Sequence, residues 1–168
     1  MADRHNTIRE GILAGFLSAT VIAVWLLVVD MISRYPFFTP KTLGRGLIGV
    51  FGMRMDGMMD STFAVVAVYT AFHYGAFAII GIIVTKIVHA ARRTPAILAG
   101  FLILFIAFEL GFYGLVGLLS VTSALQGLAW YQLMAANIVA AFVMLYFMWM
   151  RHPELKGELH DALEGTDA

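Results

Sequence analysis

The chain has 168 residues, of which 61% are hydrophobic and 13% are charged, and its formal net charge is zero. Soluble domains are typically about 45–50% apolar and about 25% charged. This composition, with a mean hydropathy of +0.85, therefore predicts a single membrane domain over residues 1–168. A neutral chain offers no basic surface for phosphates, which excludes nucleic acid as a partner. The sequence has no cysteine, which excludes disulfides, thiolate metal sites and covalent haem attachment.

The first predicted element is a transmembrane helix over residues 10–32. A capping-box pattern precedes it, with Thr7 as the N-cap and Glu10 three residues later. Small residues recur at every fourth position, on one face of the helix, where a partner backbone can approach closely. These residues are Gly11, Gly15, Ala19 and Ala23. We expect this face to contact another helix of the chain or a neighbouring subunit.

Residues 34–60 form the one long segment between predicted spans and are expected on the external side. Thr39 followed by Pro40 is typical of a helix start, with threonine as the N-cap and proline in the first turn. The apolar side of this helix would contain Leu43, Leu47, Ile48 and Phe51, and its polar side Lys41 and Arg45. Because the segment is too short to cross a bilayer, we predict a short amphipathic helix in the interface plane.

The end of this external segment is rich in methionine. Its chemistry-bearing residues are Met53, Met55, Met58 and Met59, together with Asp56 and Asp60. Thioethers are soft ligands that select Cu(I), so an external copper-binding loop is one hypothesis. The alternative is that flexible methionines fill an irregular contact with protein or lipid. The loop contains neither cysteine nor histidine, which favours the packing interpretation.

Three further spans are predicted over residues 62–88, 95–119 and 125–150. At ~1.5 Å rise per residue, each run is long enough to cross the ~30 Å hydrocarbon core of a bilayer. Aromatic residues near the span ends are expected to anchor the helices at the interfaces. These anchors are Trp25, Trp130, Tyr131 and Trp149. The predicted fold is an all-α bundle of four transmembrane helices with one short external amphipathic helix.

The distribution of basic residues predicts the orientation. Seven of the 11 lysines and arginines lie in the N-terminal tail, in residues 86–93 around the end of the second span, and in residues 151–168. The positive-inside rule therefore predicts that both termini are cytoplasmic and that residues 151–168 form a cytoplasmic tail. The expected location is a bacterial inner membrane.

Three polar residues on three predicted spans lie at similar depths, near the middle of the bilayer. They are His73, Glu109 and Asn137. One hypothesis is a proton- or ion-handling site in which the histidine and the glutamate form a charged pair. The other is a hydrogen-bonded clamp that fixes the order of the helices, each bond contributing about 0.6–2 kcal/mol. The spans contain no second carboxylate and no lysine or arginine near this depth, which favours the clamp.

Cofactor binding is not required by the sequence. A b-type haem between spans usually needs two axial histidines at matching depth. His73 is alone in the middle of a span, whereas His89 and His152 lie at the cytoplasmic edge. This arrangement does not favour haem, so copper on the external methionines is the one metal that the sequence suggests.

No enzymatic motif stands out in the chain. It lacks a nucleophile elbow, a zinc-protease HExxH, a P-loop and a dinucleotide fingerprint. The leading hypothesis is a non-catalytic accessory subunit that packs into a larger membrane complex of respiratory or photosynthetic type. Its expected partners are the lipid bilayer and other membrane subunits or further copies of itself. The alternatives are a small oligomeric transporter or channel that uses His73 and Glu109, and the copper-binding protein.

Overall fold

The computed structural model of the protein describes residues 2–33, 35–50, 61–91, 109 and 130–151. Within these ranges every regular element is helical. The helices are α1 (Ala2–Ser33), α2 (Phe38–Val50), α3 (Thr62–Ala91) and α4 (Trp130–Arg151). The all-helical prediction is confirmed for this part of the chain.

Three of these helices are long and apolar enough to cross a membrane. The segments that qualify are Thr7–Ser33 in α1, Thr62–Ala90 in α3 and Tyr131–Arg151 in α4. They correspond to the first, second and fourth predicted spans. The third predicted span, residues 95–119, lies outside the described residues except for Glu109, which is helical.

The start of α1 differs from the sequence-based prediction. The helix already begins at Ala2, so Thr7 lies inside it rather than at its cap. An N-cap satisfies the free amides at a helix start, and the amide of Thr7 is past the first turn. The predicted capping role of Thr7 is therefore wrong, and α1 extends beyond the predicted 10–32 range.

Helices α1 and α3 make the closest contact, and glycines on both helices allow it. A Cβ on Gly11 would lie 2.5 Å from the Cα of Ile82, and a Cβ on Gly15 would lie 2.6 Å from the carbonyl carbon of Phe77. A Cβ on Gly81 would overlap the carbonyl oxygen of Gly11 and lie 2.8 Å from the amide nitrogen of Gly15. No larger side chain fits at these positions, so the two backbones touch directly.

Helix α4 packs against α1 and completes the core of the described bundle. Ile22 and Leu26 of α1 are buried against Ala136 and Ala140 of α4. A second buried cluster lies towards the other end of the same seam, and it consists of Ala14, Met144 and Met148. Phe77 of α3 packs against both clusters. The core therefore lies along the line where the three long helices meet.

Helix α2 lies against the beginning of α3. A Cβ on Gly44 would lie 2.7 Å from the carbonyl oxygen of Val65, so this glycine is a contact point between the two helices. Ile48 is only 1% exposed, whereas Arg45 is exposed, which agrees with the predicted two-sided character of the segment. The buried side of α2 faces α3, so this helix extends the bundle at the C-terminal end of α1.

Candidate functional site

His73 joins α3 to α1 near the middle of both helices. Its Nε2 lies 3.1 Å from the carbonyl oxygen of Ala19, and the side chain is only 8% exposed. A carbonyl oxygen can only accept, so Nε2 carries the hydrogen and donates it. The other ring nitrogen, Nδ1, makes no hydrogen bond within the described part of the chain. In the neutral ring, Nδ1 is therefore an unoccupied acceptor.

Aromatic rings hold the imidazole in place. Tyr69, one helical turn before His73, stacks on it with ring centroids 5.5 Å apart and an interplanar angle of 23°. Phe77, one turn after, contacts it at 4.9 Å, and Tyr74 meets it edge-on at 5.8 Å. The four-residue spacing places Tyr69, His73 and Phe77 on one face of α3. The orientation of the imidazole is thus set by packing as well as by its hydrogen bond.

A second polar contact between α1 and α3 lies beside this ring. The Thr20 hydroxyl is 2.8 Å from the carbonyl oxygen of Phe16 and 3.0 Å from the Tyr74 hydroxyl. Thr20 has a single hydroxyl hydrogen, and the carbonyl oxygen can only accept it. Tyr74 must therefore donate to Thr20, which leaves the lone pairs of the Tyr74 oxygen available as acceptors.

Buried hydroxyls also connect α4 to the other two long helices. Ser18 Oγ of α1 donates to the carbonyl oxygen of Ala140 at 3.2 Å. Thr85 Oγ1 of α3 donates within its own helix to Gly81 at 2.8 Å and lies 3.8 Å from the sulfur of Met148. Ser18 and Thr85 are both fully buried. Ser18 thus joins α1 to α4 by a hydrogen bond, and Thr85 of α3 lies beside Met148 of α4.

The Ser18 bond allows a direct test. We expect Ser18→Ala to lower the free energy of unfolding in detergent by about 0.6–1.7 kcal/mol, because it leaves the Ala140 carbonyl without this donor. Thr70→Ala is the matched control, since the Thr70 hydroxyl donates only within its own helix, to Val66 at 2.8 Å. Equal losses for the two variants would contradict a clamp role for Ser18.

A buried carboxylate connects the end of α1 to the start of α2. Asp30 accepts two hydrogen bonds of 2.7 Å from Thr39, one from the backbone amide and one from the hydroxyl. Asp30 is 0% exposed and Thr39 is 1% exposed. A carboxylate is favourable at a helix N-terminus because it bonds free amides and meets the positive end of the helix dipole. Asp30 therefore caps α2 from a distant position in the chain.

This finding corrects the predicted role of Thr39. Helix α2 begins at Phe38, so Thr39 is inside the helix and is the capped residue rather than the cap. The amide of Phe38 bonds the carbonyl oxygen of Tyr35 at 3.2 Å. Between them, Phe37 has a φ of 65°, a left-handed conformation that is uncommon for a bulky residue. The tight connection between α1 and α2 imposes this strained backbone.

A cleft of about 210 Å³ lies between the C-terminal half of α1, the start of α2 and the N-terminal half of α3. Its polar lining consists of Thr20, Tyr69, Thr70, His73 and Tyr74. Its apolar lining consists of Ile22, Ala23, Val24, Leu26, Leu27, Phe37, Pro40 and Val66. No residue in the lining carries a charged side chain. Ala23, the last member of the predicted small-residue face of α1, is exposed here rather than packed against a helix.

The three residues predicted at the middle of the bilayer, His73, Glu109 and Asn137, are all buried or partly buried in the described structure. The one hydrogen bond of His73 goes to Ala19, not to Glu109 or Asn137. Glu109 is partly buried, and its Oε2 is enclosed without a hydrogen-bond partner within the described ranges. Asn137 is partly buried on α4. The structure thus assigns His73 to the α1–α3 contact.

The other predicted site residues lie elsewhere. The methionines Met53, Met55, Met58 and Met59 fall outside the described residues, so the copper hypothesis stays a prediction, and His152 is likewise outside them. Trp25 and Trp149 are both 38% exposed, Tyr131 is 57% exposed, and Trp130 is the first residue of α4. His89 donates from Nδ1 to the carbonyl oxygen of Thr85 at 2.8 Å. Among the described residues no three histidine, aspartate or glutamate side chains are grouped to hold a metal.

Sequence reasoning missed three polar contacts, formed by Ser18, by Thr20 with Tyr74, and by Asp30 with Thr39. Hydroxyls in apolar helices often bond their own backbone, so their sequence positions do not reveal a partner. Asp30 did carry a signal. It is an acidic residue at the end of an apolar run, a few residues before a helix start.

The observed arrangement joins helices through buried hydrogen bonds and leaves one neutral cleft beside His73. The cleft lining contains no aspartate, glutamate, lysine or arginine. Comparison with known proteins adds no function to this geometry, since no family model, no curated protein and no solved structure matches the chain.

Proposed function

We propose that this protein is a non-catalytic subunit of a larger membrane complex, in which it acts as a small helical scaffold. The observation that carries the proposal is the use of the buried polar groups. His73 and Ser18 each donate to a backbone carbonyl on another helix. Hydrogen bonds of this kind between helices hold the helices in order.

The outer faces of the helices support the same proposal. All three long helices expose large apolar side chains away from the core. Examples are Phe16 and Val28 of α1, Phe72 and Ile79 of α3, and Phe142 and Tyr146 of α4. In a bilayer such faces contact lipid or the helices of a partner, and helix partners recognise one another by close packing. A subunit with a rigid interior and apolar faces is suited to a place within an assembly.

The proposal is tested at native expression level. The tagged chain is extracted from its own membranes with a mild detergent, and the complex is separated by blue-native electrophoresis and identified by mass spectrometry. We expect a band much larger than the 18.5 kDa chain, with partner proteins in fixed ratio. A lone monomer, or partners that vary with detergent, would contradict the subunit role. An absorption spectrum of the same band would report any pigment held by the complex.

We also propose that the protein lies in a bacterial inner membrane with both termini in the cytoplasm. The excess of lysine and arginine in residues 1–9, 86–93 and 151–168 supports this orientation. In this orientation α2 is external and the cleft opens in the outer half of the bilayer. The Asp30–Thr39 contact then holds the external helix against the bundle.

A second candidate function is transport through a small oligomer. The observation that favours it is Glu109, whose Oε2 is enclosed without a hydrogen-bond partner within the described ranges. A carboxyl group in this state would be suited to binding a proton or a cation. The candidate predicts that purified protein in liposomes conducts protons or cations, and that Glu109→Gln abolishes the flux. If liposomes that contain the wild-type chain show no proton or cation flux, the transport function is excluded.

A further inference from the structure

The cleft beside His73 has a defined hydrogen-bonding character. Since Nε2 of His73 is committed to Ala19, the nitrogen left free is the acceptor Nδ1. Since Tyr74 donates to Thr20, its oxygen also remains an acceptor. The hydroxyl of Thr70 is committed as a donor to Val66. Among the polar side chains that line the cleft, only the Tyr69 hydroxyl makes no hydrogen bond to the described residues, so it is the one donor left in the lining.

The free donors and acceptors on the cleft wall indicate which polar groups a ligand should carry. Acceptors outnumber donors on the cleft wall, so the matching molecule carries hydrogen-bond donors. The wall contains no charged side chain, so a charged molecule would lose hydration without a compensating ion pair. A neutral molecule with hydroxyl groups therefore fits better than an ion, an amine or a carboxylate.

The aromatic side chains of the lining and the volume of the cleft indicate the shape of the ligand. Four rings line the cleft, from Phe37, Tyr69, His73 and Tyr74, and aromatic side chains favour offset or edge contacts with another ring. A cavity of about 150 Å³ holds a benzene molecule, so the observed 210 Å³ accommodates a substituted ring. The exposed Val24 and Ala23 stand at the rim, where an apolar substituent could leave towards the lipid.

We propose that this cleft binds the ring of a neutral lipophilic phenol of the hydroquinone class, with a ligand hydroxyl donating to Nδ1 of His73. The binding is non-covalent and involves no electron transfer in this chain. The proposal goes beyond the scaffold function and does not depend on it, because a scaffold needs no ligand and the cleft needs no partner subunit. It gives His73 two roles, one nitrogen joining helices and the other recognising a ligand.

The test uses the full chain in lipid nanodiscs and measures binding by calorimetry. The probe is decylhydroquinone, and the matched ligand is its dimethyl ether, which keeps the ring and the chain but has no hydroxyl donors. We expect the hydroquinone to bind roughly five- to tenfold more tightly, as one unsatisfied hydrogen bond would predict. Equal affinities would overturn the proposal and identify the cleft as a site for lipid chains.

Two leucine variants test whether the hydroquinone binds in this cleft. Ala23→Leu fills the space at an exposed position in the lining, and Ala71→Leu makes the same change at an exposed position of α3 outside the lining. We expect Ala23→Leu to reduce hydroquinone affinity at least about tenfold, and Ala71→Leu to leave it unchanged. Equal affinities of the two variants for the hydroquinone would overturn the assignment to this cleft. The assignment would also be overturned if hydroquinone without the decyl chain bound as tightly as decylhydroquinone.

Discussion

Gly15→Ala is expected to destabilise the protein strongly, although the same change at Gly75 is expected to be neutral or stabilising. A Cβ on Gly15 would lie 2.6 Å from the carbonyl carbon of Phe77 and 2.9 Å from the Cα of Ala78, and neither backbone atom can move aside alone. A Cβ on Gly75 would meet nothing within 4 Å. Overpacking against a backbone should cost about 3 kcal/mol, whereas alanine in an open helical position gains up to about 1 kcal/mol over glycine.

The measurement is the unfolding of both variants in mixed micelles with increasing SDS, followed by circular dichroism. The two substitutions add the same methyl group to glycines of long apolar helices, so a difference in sign isolates the α1–α3 contact. Gly81→Ala should behave like Gly15→Ala, because its Cβ would lie 2.8 Å from the amide nitrogen of Gly15. Equal stability of the Gly15 and Gly75 variants would mean that the two backbones do not touch.

Asp30→Ala is expected to release α2 from the bundle. The substitution removes both acceptors of the 2.7 Å bonds from Thr39 and leaves a buried amide and hydroxyl unpaired. Hydrogen bonds to a charged group contribute about 1.5–3 kcal/mol each. The strained φ of 65° at Phe37 adds a reason for the connection to relax once the bonds are lost. Thr39→Val should have a smaller effect, because the backbone amide still bonds Asp30.

The sequence offers a direct readout, since it contains no cysteine. Ile48→Cys places a thiol on the buried side of α2, where the native residue is 1% exposed. We expect maleimide labelling of this thiol to be at least about tenfold faster when Asp30→Ala is added, which corresponds to about 1.4 kcal/mol of lost docking. Arg45→Cys, on the exposed side of α2, is the control and should label at the same rate in both backgrounds. Unchanged labelling at position 48 would show that Asp30 does not hold α2.

The sequence predicted the helices better than their contacts. Long apolar runs predict spans because the bilayer requires about 20 apolar residues, and α1, α3 and α4 follow this rule. The spacing of Gly11 and Gly15 also indicated a close-packed face. It could not identify α3 as the partner, because small residues alone do not reveal which helix approaches them.

The partner of His73 was beyond sequence reasoning for a different reason. The prediction matched polar side chains by depth and therefore joined His73 with Glu109 and Asn137. The structure pairs His73 with the carbonyl oxygen of Ala19 instead. Every residue carries such a carbonyl, so no residue type marks the acceptor. Close approach of the backbones at Gly15 and Gly81 places α1 and α3 within reach of this bond.

The contacts of helix α2 could likewise not be predicted from its sequence. Gly44 lies inside the predicted short helix, although glycine lowers helix propensity by about 1 kcal/mol relative to alanine. In the structure, Gly44 is where α2 touches Val65 of α3. Tertiary contact here outweighs local propensity. The cap of α2 is likewise a residue of another helix, because the buried Asp30 of α1 accepts the hydrogen bond of the Thr39 amide. The local sequence pattern at Thr39 and Pro40 does not reveal this partner.

The central claim is that the chain crosses the membrane as a helical bundle with both termini on one side, and labelling of single cysteines tests it most directly. The positions are Arg9, Arg45, Lys86 and Arg151, all of them exposed or partly exposed at helix ends or on α2. With a membrane-impermeant maleimide on intact cells, we predict that Arg45→Cys is labelled and that the other three are labelled only after permeabilisation. Labelling of Arg45→Cys and Lys86→Cys from the same side would contradict the account, because α3 could not then span the membrane.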